Sequence, residues 1–173
     1  MRRLAVALPL LIAACTLPHE DAPHEDEPQG NGPASFADDR SQPVAALLDH
    51  VLEGYFASPE HDGYTVCAAT TDGREAAALP FEQEAGLMAR HVSLASFDAC
   101  SLVDGAWQNV DSGTLAQVFE VHSFSCTDID HCSGFVTFTR RDTVLHNSLY
   151  RMTFADGAWQ FSEDRRLIGG RDG

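Results

Sequence analysis

The stretch from Thr16 to Gln42 most narrows what this chain can fold into. Proline recurs at Pro18, Pro23, Pro28 and Pro33, and the first two open the near-repeats Pro18-His19-Glu20-Asp21-Ala22 and Pro23-His24-Glu25-Asp26-Glu27. Proline, acidic self-repulsion and the Gly30-Asn31-Gly32 break together predict a disordered, extended tether that buries no core. Folding is then confined to residues 43–173, about 130 positions, the size of one domain. Over the chain 44% of residues are hydrophobic and 21% charged, close to globular averages, which excludes a collagen-like, wholly disordered or multi-span membrane protein. The formal net charge is −15 and every basic residue is arginine. Phosphate backbones and anionic headgroups repel such a chain, so neither nucleic acid nor polybasic membrane contact is expected.

Ahead of the tether, Met1-Arg2-Arg3 is a short positive start, and the apolar run from Leu4 to Ala14 is about half the length a bilayer-spanning helix requires. Residues 1–14 therefore read as a signal peptide. Leu11-Ile12-Ala13-Ala14-Cys15 resembles the lipobox of bacterial lipoproteins. That resemblance implies diacylglycerol on the Cys15 sulfur, cleavage before Cys15 and acylation of the new amino group, enough chains for stable anchoring. Thr16, rather than aspartate, after the lipidated cysteine resembles the outer-membrane sorting pattern, implying a lipid anchor in a Gram-negative envelope with the domain facing the periplasm. The alternative is plain secretion, with cleavage at the same small residues.

Five cysteines in an oxidising compartment leave one over unless Cys15 is used otherwise. Cys67, Cys100, Cys126 and Cys132 then admit three pairings. Cys126 with Cys132 and Cys67 with Cys100 is the preferred set, because strand-like flanks around residues 126–132 would close a hairpin over the first pair.

Ser41 reads as a helix cap and Pro43 as a first-turn residue, and Val44, Leu47, Leu48, Val51, Leu52, Tyr55 and Phe56 follow at helical spacing, with Pro59 as a stop. A short strand is expected from Tyr64 to Ala69, ahead of the turn Thr71-Asp72-Gly73. After Pro80, the spacing of Phe81, Ala85, Met88, Val92 and Ala95, with Glu82 and Glu84 near the start, predicts a second helix, against which Gly86 counts. From Phe97 the pattern turns to β, with strands expected at Cys100–Val103, Ala106–Val110, Leu115–Ser125, Ser133–Arg141, Val144–Phe154 and Ala158–Asp164. Asp104-Gly105-Ala106-Trp107-Gln108 recurs as Asp156-Gly157-Ala158-Trp159-Gln160, each Asp-Gly marking a hairpin turn; unmatched flanks argue against a duplicated domain. The fold class is α+β, with one or two N-terminal helices packed on a curved antiparallel meander.

The opening helix from Val44 to Ala57 and the closing run from Tyr150 to Phe161 resemble the nuclear transport factor 2-like superfamily, a cone-shaped fold that includes ketosteroid isomerases and polyketide cyclases. The resemblance implies a pocket between helices and sheet, lined by alternate strand residues. Strand parity sets Val118, Glu120, His122 and Phe124 on one side of the Leu115–Ser125 strand and puts His146 on the apolar side of the Val144–Phe154 strand. A Glu or His among apolar neighbours has a shifted proton affinity and suits general acid–base work, so these three are the catalytic candidates. No motif says which position matches a family catalytic residue, and ordinary hydrogen-bonded sheet histidines are the competing expectation.

Asp128, Asp130 and His131 in the 126–132 loop, and His19 and His24 in the tether, carry metal-competent groups. Three groups on one short turn fall short of a calcium shell, and a flexible tail must lose entropy to chelate, so no metal or cofactor is expected. Arg140, Arg141, Arg151, Arg165 and Arg166 gather late in the chain, where a salt-bridged sheet face is expected ahead of an anion subsite. Gly-x-Ser-x-Gly, a phosphate-cradling glycine loop and His-Glu-x-x-His are absent from the sequence. The sequence thus points to a lipid-anchored envelope protein whose domain binds a small apolar ligand or another envelope protein. The alternative is a small isomerase, cyclase or hydrolase using a Glu/His pair.

Overall fold

The computed structural model describes residues 34–58, 63–72, 74–140 and 143–164, without the side chains of 139, 140 and 143–145. The signal peptide, Cys15, His19 and His24, Pro59, and the Arg140-Arg141 and Arg165-Arg166 side chains lie outside the described residues. The class is α+β: two helices, α1 (Pro43–Phe56) and α2 (Phe81–Arg90), with a mostly antiparallel sheet of seven strands and a separate two-stranded sheet. The strands are β1 (Thr65–Thr71), β2 (Ala76–Ala77), β3 (Leu94–Ala95), β4 (Cys100–Val103), β5 (Ala106–Asn109), β6 (Ala116–Cys126), β7 (His131–Arg140), β8 (Thr143–Ala155) and β9 (Ala158–Asp164).

The expected meander holds for β6 to β9, which pair in sequence order and antiparallel. It fails upstream. β4 and β5 form their own hairpin, and β1 lies parallel to β6, with β2 and β3 as short partners of β1. The hairpin covers the back of β1 and β6 because Cys67 bonds Cys100, gathering Ala69, Ala116, Val118, Phe97 and Trp107 into a second small core. Cys126 and Cys132 pair across the β6–β7 hairpin, their Cα atoms 3.9 Å apart. Both Asp-Gly dipeptides turn with positive φ at the two central residues (50° and 79°, then 55° and 83°), the geometry that suits the twist of two-residue hairpins.

The main core lies between the other sheet face and the helices. Leu47, Leu48 and Leu52 of α1 meet Phe119, Val121, Val136, Met152 and Trp159, all almost fully buried. Pro43 opens α1 as expected, but Ser41 does not cap it. Gln42 holds that position without a side-chain bond, while the Ser41 amide and hydroxyl both donate to Asp39.

The second helix is present but turned. Phe81 and Val92, expected on its inner side, are 83% and 92% exposed; Leu87 is the residue buried. Polar anchors choose this face. Glu84 accepts bonds from the Ser96 hydroxyl and the Phe97 amide, and Arg90 reaches Asp49 of α1. Gly86 has a use there, since a Cβ on it would stand 2.5 Å from the Phe36 ring. Phe36 is buried in the main core, so residues 34–42, grouped with the tether by composition, pack as the first part of the domain. Trp159 Nε1 donates to the Asp39 carbonyl at 3.1 Å, and Arg40 bonds Asp130 while lying over the Phe154 ring.

Candidate functional site

An open cleft of roughly 800 Å³ lies between the C-terminal half of α1 and the sheet. The helix brings His50, Gly54 and Tyr55 to it, and the sheet supplies Phe119, Phe138, His146, Tyr150, Phe161 and Glu163. Register explains the sheet side. Phe119 pairs with Phe138 and Phe138 with His146, while Tyr150 pairs with Glu163, and directly paired residues share one face.

The aromatic groups form two contacting sets. Tyr55 stands edge-on to Phe119 (4.8 Å between centroids), Phe119 meets Phe138 (5.1 Å), and Phe138 stacks on the His146 ring (5.2 Å, 11°). On the other side His50 stacks on Phe161 at 4.2 Å, nearly parallel. The residue is largely exposed, but the stacked ring face is dry, and burial pushes this imidazole below its usual value against the opposing pull of Glu53, Glu163 and Asp49.

Six of the eleven lining residues carry a polar group: His50, Tyr55, Ser58, His146, Tyr150 and Glu163. The Tyr55 hydroxyl donates to Gln117 Oε1. Glu163 Oε1 accepts from the fully buried Ser148 hydroxyl at 2.7 Å, and His146 Nε2 lies 3.4 Å from the same oxygen. Ser148 cannot serve as a nucleophile, since nothing in solvent reaches it. A half-buried carboxylate with an imidazole beside it can pair with a cationic group, or it can orient the imidazole for proton transfer.

Of the three catalytic candidates, only His146 lies in this cleft. Glu120 pairs with Thr137 and His122 with Phe135, which puts both on the opposite face of the sheet from Phe119 and Val121. Glu120 and His122 therefore do not share the cleft with His146: alternation along β6 and β7 sets the sheet between them. The reading that Phe124 continues the Glu120–His122 side also falls, because Ser123 takes φ 51° at a bulge and Phe124 joins the helix-side core. His122 stacks on Phe135 at 5.2 Å. Burial raises the Glu120 carboxyl, with His122 pulling the other way.

Asp128 and His131 are committed to each other, and Asp130 to Arg40. His131 Nδ1 meets Asp128 Oδ1 at 2.8 Å, and this bond, with the Asp130 amide, lowers the Asp128 carboxyl; Asp130 holds Arg40. Arg151 lies 3.5 Å from Asp164. No group of three metal-ligating side chains occurs among the described residues. A further buried carboxylate, Asp49, accepts from Arg90 Nε and lies against His91 Nε2, each at 2.8 Å. Burial pushes it up, the two partners outweigh that, and the net shift is downward.

Sequence reading missed His50, Tyr55 and Glu163. The signal for Glu163 was present: Trp159, Phe161 and Glu163 alternate along β9, so an acid ends an otherwise aromatic face. Comparison with protein-family models, curated proteins and solved structures finds no match to this chain. No helix among the described residues is long and apolar enough to cross a membrane.

Proposed function

We propose that this is a lipid-anchored protein of the bacterial cell envelope whose domain captures a small, largely apolar ligand in the α1–sheet cleft. The observation that carries the ligand half is the cleft itself: roughly 800 Å³, walled by phenyl, phenol and imidazole rings, with one carboxylate. That volume is usual for a small-molecule site. The resemblance of the opening helix and closing hairpin to the nuclear transport factor 2-like fold favours the same place. The anchoring half rests on the lipobox-like end of the leader and on the cysteines: Cys67 pairs with Cys100 and Cys126 with Cys132, which leaves Cys15 for acylation.

Titration with N-phenyl-1-naphthylamine, a neutral fluorophore that brightens in apolar surroundings, tests the ligand half. Saturable one-site binding is expected, and Gly54→Phe, which fills the cleft from a position with open space around its Cα, should abolish it. Absence of saturable binding refutes the reading. For the anchor, Cys15→Ser should release the protein from membranes, and a variant that stays membrane-bound refutes lipidation at Cys15.

Proton-transfer chemistry is the second reading, favoured by the approach of His146 to Glu163 inside the cleft. The acid–base pair is then Glu163 and His146, in place of Glu120 and His122. Turnover of a captured compound by the parent protein, lost in His146→Gln without loss of affinity, would establish it.

A further inference from the structure

We propose that Cys126–Cys132 is an exchangeable bridge: the thiolate of an external dithiol enters at Cys126, and the bond opens and re-forms while the domain stays folded. This needs only that both bridges are formed, and it does not rest on the cleft. The two bridges of the chain sit in opposite surroundings. Cys67 and Cys100 are 0% and 6% exposed, inside the small core under the β4–β5 hairpin, where an attacking sulfur has no path and where opening would free Phe97 and Trp107 from Ala69 and Val118. Cys126 is exposed at the end of β6, whereas Cys132 is 6% exposed and belongs to the main core. An external thiolate therefore meets one sulfur, that of Cys126. Exchange depends on such access, and exposed bridges are the labile ones.

The hairpin has fastenings of its own. The β6–β7 ladder sets Cys126 opposite Cys132 and Ser125 opposite Ser133. Beyond the sulfurs, the Thr127 amide donates to the His131 carbonyl at 2.9 Å and the Phe154 amide to the Asp130 carbonyl at 2.8 Å, while Asp128 holds His131 and Asp130 holds Arg40. These bonds do not require the sulfurs to be joined, and a bridge that spans six residues restrains little chain entropy when it breaks. Once reduced, Cys132 stays among apolar neighbours as a small hydrophobe, and the Cys126 thiol is solvated. One backbone thus accommodates both redox states.

In the first step the dithiol's thiolate bonds to Cys126 Sγ as the Cys126–Cys132 bond breaks, and the Cys132 sulfur leaves with the electron pair and takes a proton from water. The dithiol's second sulfur, as thiolate, then attacks its partner sulfur in the mixed disulfide and expels Cys126, which is protonated in turn. The dithiol gives up two electrons and becomes a disulfide; the bridge takes them and becomes two thiols.

The full chain, treated with dithiothreitol at pH 7.5, alkylated at intervals and read by peptide mass mapping, tests this. Cys126–Cys132 should open about tenfold or more faster than Cys67–Cys100, with the far-ultraviolet circular dichroism retained. With oxidised glutathione, Cys132→Ser, which leaves Cys126, should form the mixed disulfide about tenfold or more faster than Cys126→Ser, which leaves Cys132. Opening of both bridges at one rate, or opening only with loss of the dichroism, overturns the proposal in the parent protein, whatever the variants do. Equal reaction of the two serine variants overturns entry at Cys126.

Discussion

Gly86→Ala tests whether the segment around Phe36 belongs to the fold. In an open helix this substitution stabilises by about 1 kcal/mol, because alanine loses less backbone entropy than glycine. At Gly86 the added carbon would stand 2.5 Å from Phe36 Cζ, closer than real Cβ atoms come, and 3.1 Å from Cε2, so the ring must shift, and a ring held by the core around it is driven from its site. Burial of a phenylalanine is worth about 1.5–3 kcal/mol. Phe36 retains 9% exposure, so nearly all of this is forfeited. The net is a destabilisation of about 0.5–2 kcal/mol, or roughly 2–8 °C in Tm for a domain of this size. Gly54→Ala is the control: it is also helical, with nothing within 4 Å of its added carbon, and it should stabilise by about 0.5–1 kcal/mol. Urea denaturation of the two variants, of Phe36→Ala and of Phe36→Ala/Gly86→Ala closes the argument. With the ring already gone, Gly86→Ala should regain its helical benefit, giving a coupling of about 1.5–3 kcal/mol. If Gly86→Ala stabilises the parent protein as much as Gly54→Ala does, Phe36 is not docked on α2 and the domain starts at α1.

Asp49→Asn should cost about 2–4 kcal/mol, because it takes the shared carboxylate away from Arg90 and His91 at a half-buried site, with urea midpoints as the measure. Since the Asp49 carboxyl is held below its unfolded value, its contribution is present above about pH 4 and is lost as pH falls through the folded value; the acid limb of stability should therefore flatten in Asp49→Asn. His50, also lowered, makes its contribution above about pH 6.5 and loses it as pH falls further. His50→Phe keeps the stack on Phe161 and should remove the part of the stability–pH slope just below pH 6.5; an unchanged slope there refutes the burial of that ring. Removing Cys67–Cys100 should cost about 4 kcal/mol and Cys126–Cys132 about 2 kcal/mol on the chain-entropy view, because the bridges span 33 and 6 residues. The reverse ranking in double-serine variants would show that the β6–β7 hairpin depends on its bridge for more than loop closure.

Period and punctuation made much of the fold legible. The 3.6-residue spacing from Val44 to Phe56 marked α1, the two Asp-Gly dipeptides marked hairpins, and alternation marked β6 to β9 almost to the residue. Three things were not legible. The facing of α2 is set by bonds from Glu84 and Arg90 to distant partners, which an apolar count over ten residues does not register. The parallel pairing of β1 with β6 joins strands some 50 positions apart, where no local signal exists. The bulge at Ser123 reverses parity in mid-strand, so a period-2 reading placed Glu120 and His122 correctly and Phe124 on the wrong side. For the site, alternation gave His146 its correct face, but which face meets α1 follows from the whole sheet order, and that decides between His146 and the Glu120–His122 pair.

The distribution of cross-links separates what this fold spends on stability from what it offers to a ligand. Cys67–Cys100 ties the β4–β5 hairpin to the back of the sheet, Cys126–Cys132 closes the far end of β6 and β7, and Asp49 joins α1 to α2 through Arg90 and His91. None of these groups lines the cleft. Two side-chain bonds at its wall, Tyr55 to Gln117 and Ser148 to Glu163, instead fix the direction of a ring and of a carboxylate. Holding such groups beforehand lowers the entropy lost when a ligand binds. Tyr55→Phe keeps the ring and removes its hydroxyl bond to Gln117, so on this view it weakens capture of N-phenyl-1-naphthylamine. Unchanged affinity would mean that packing alone aims the ring and that the bond to Gln117 has no part in capture.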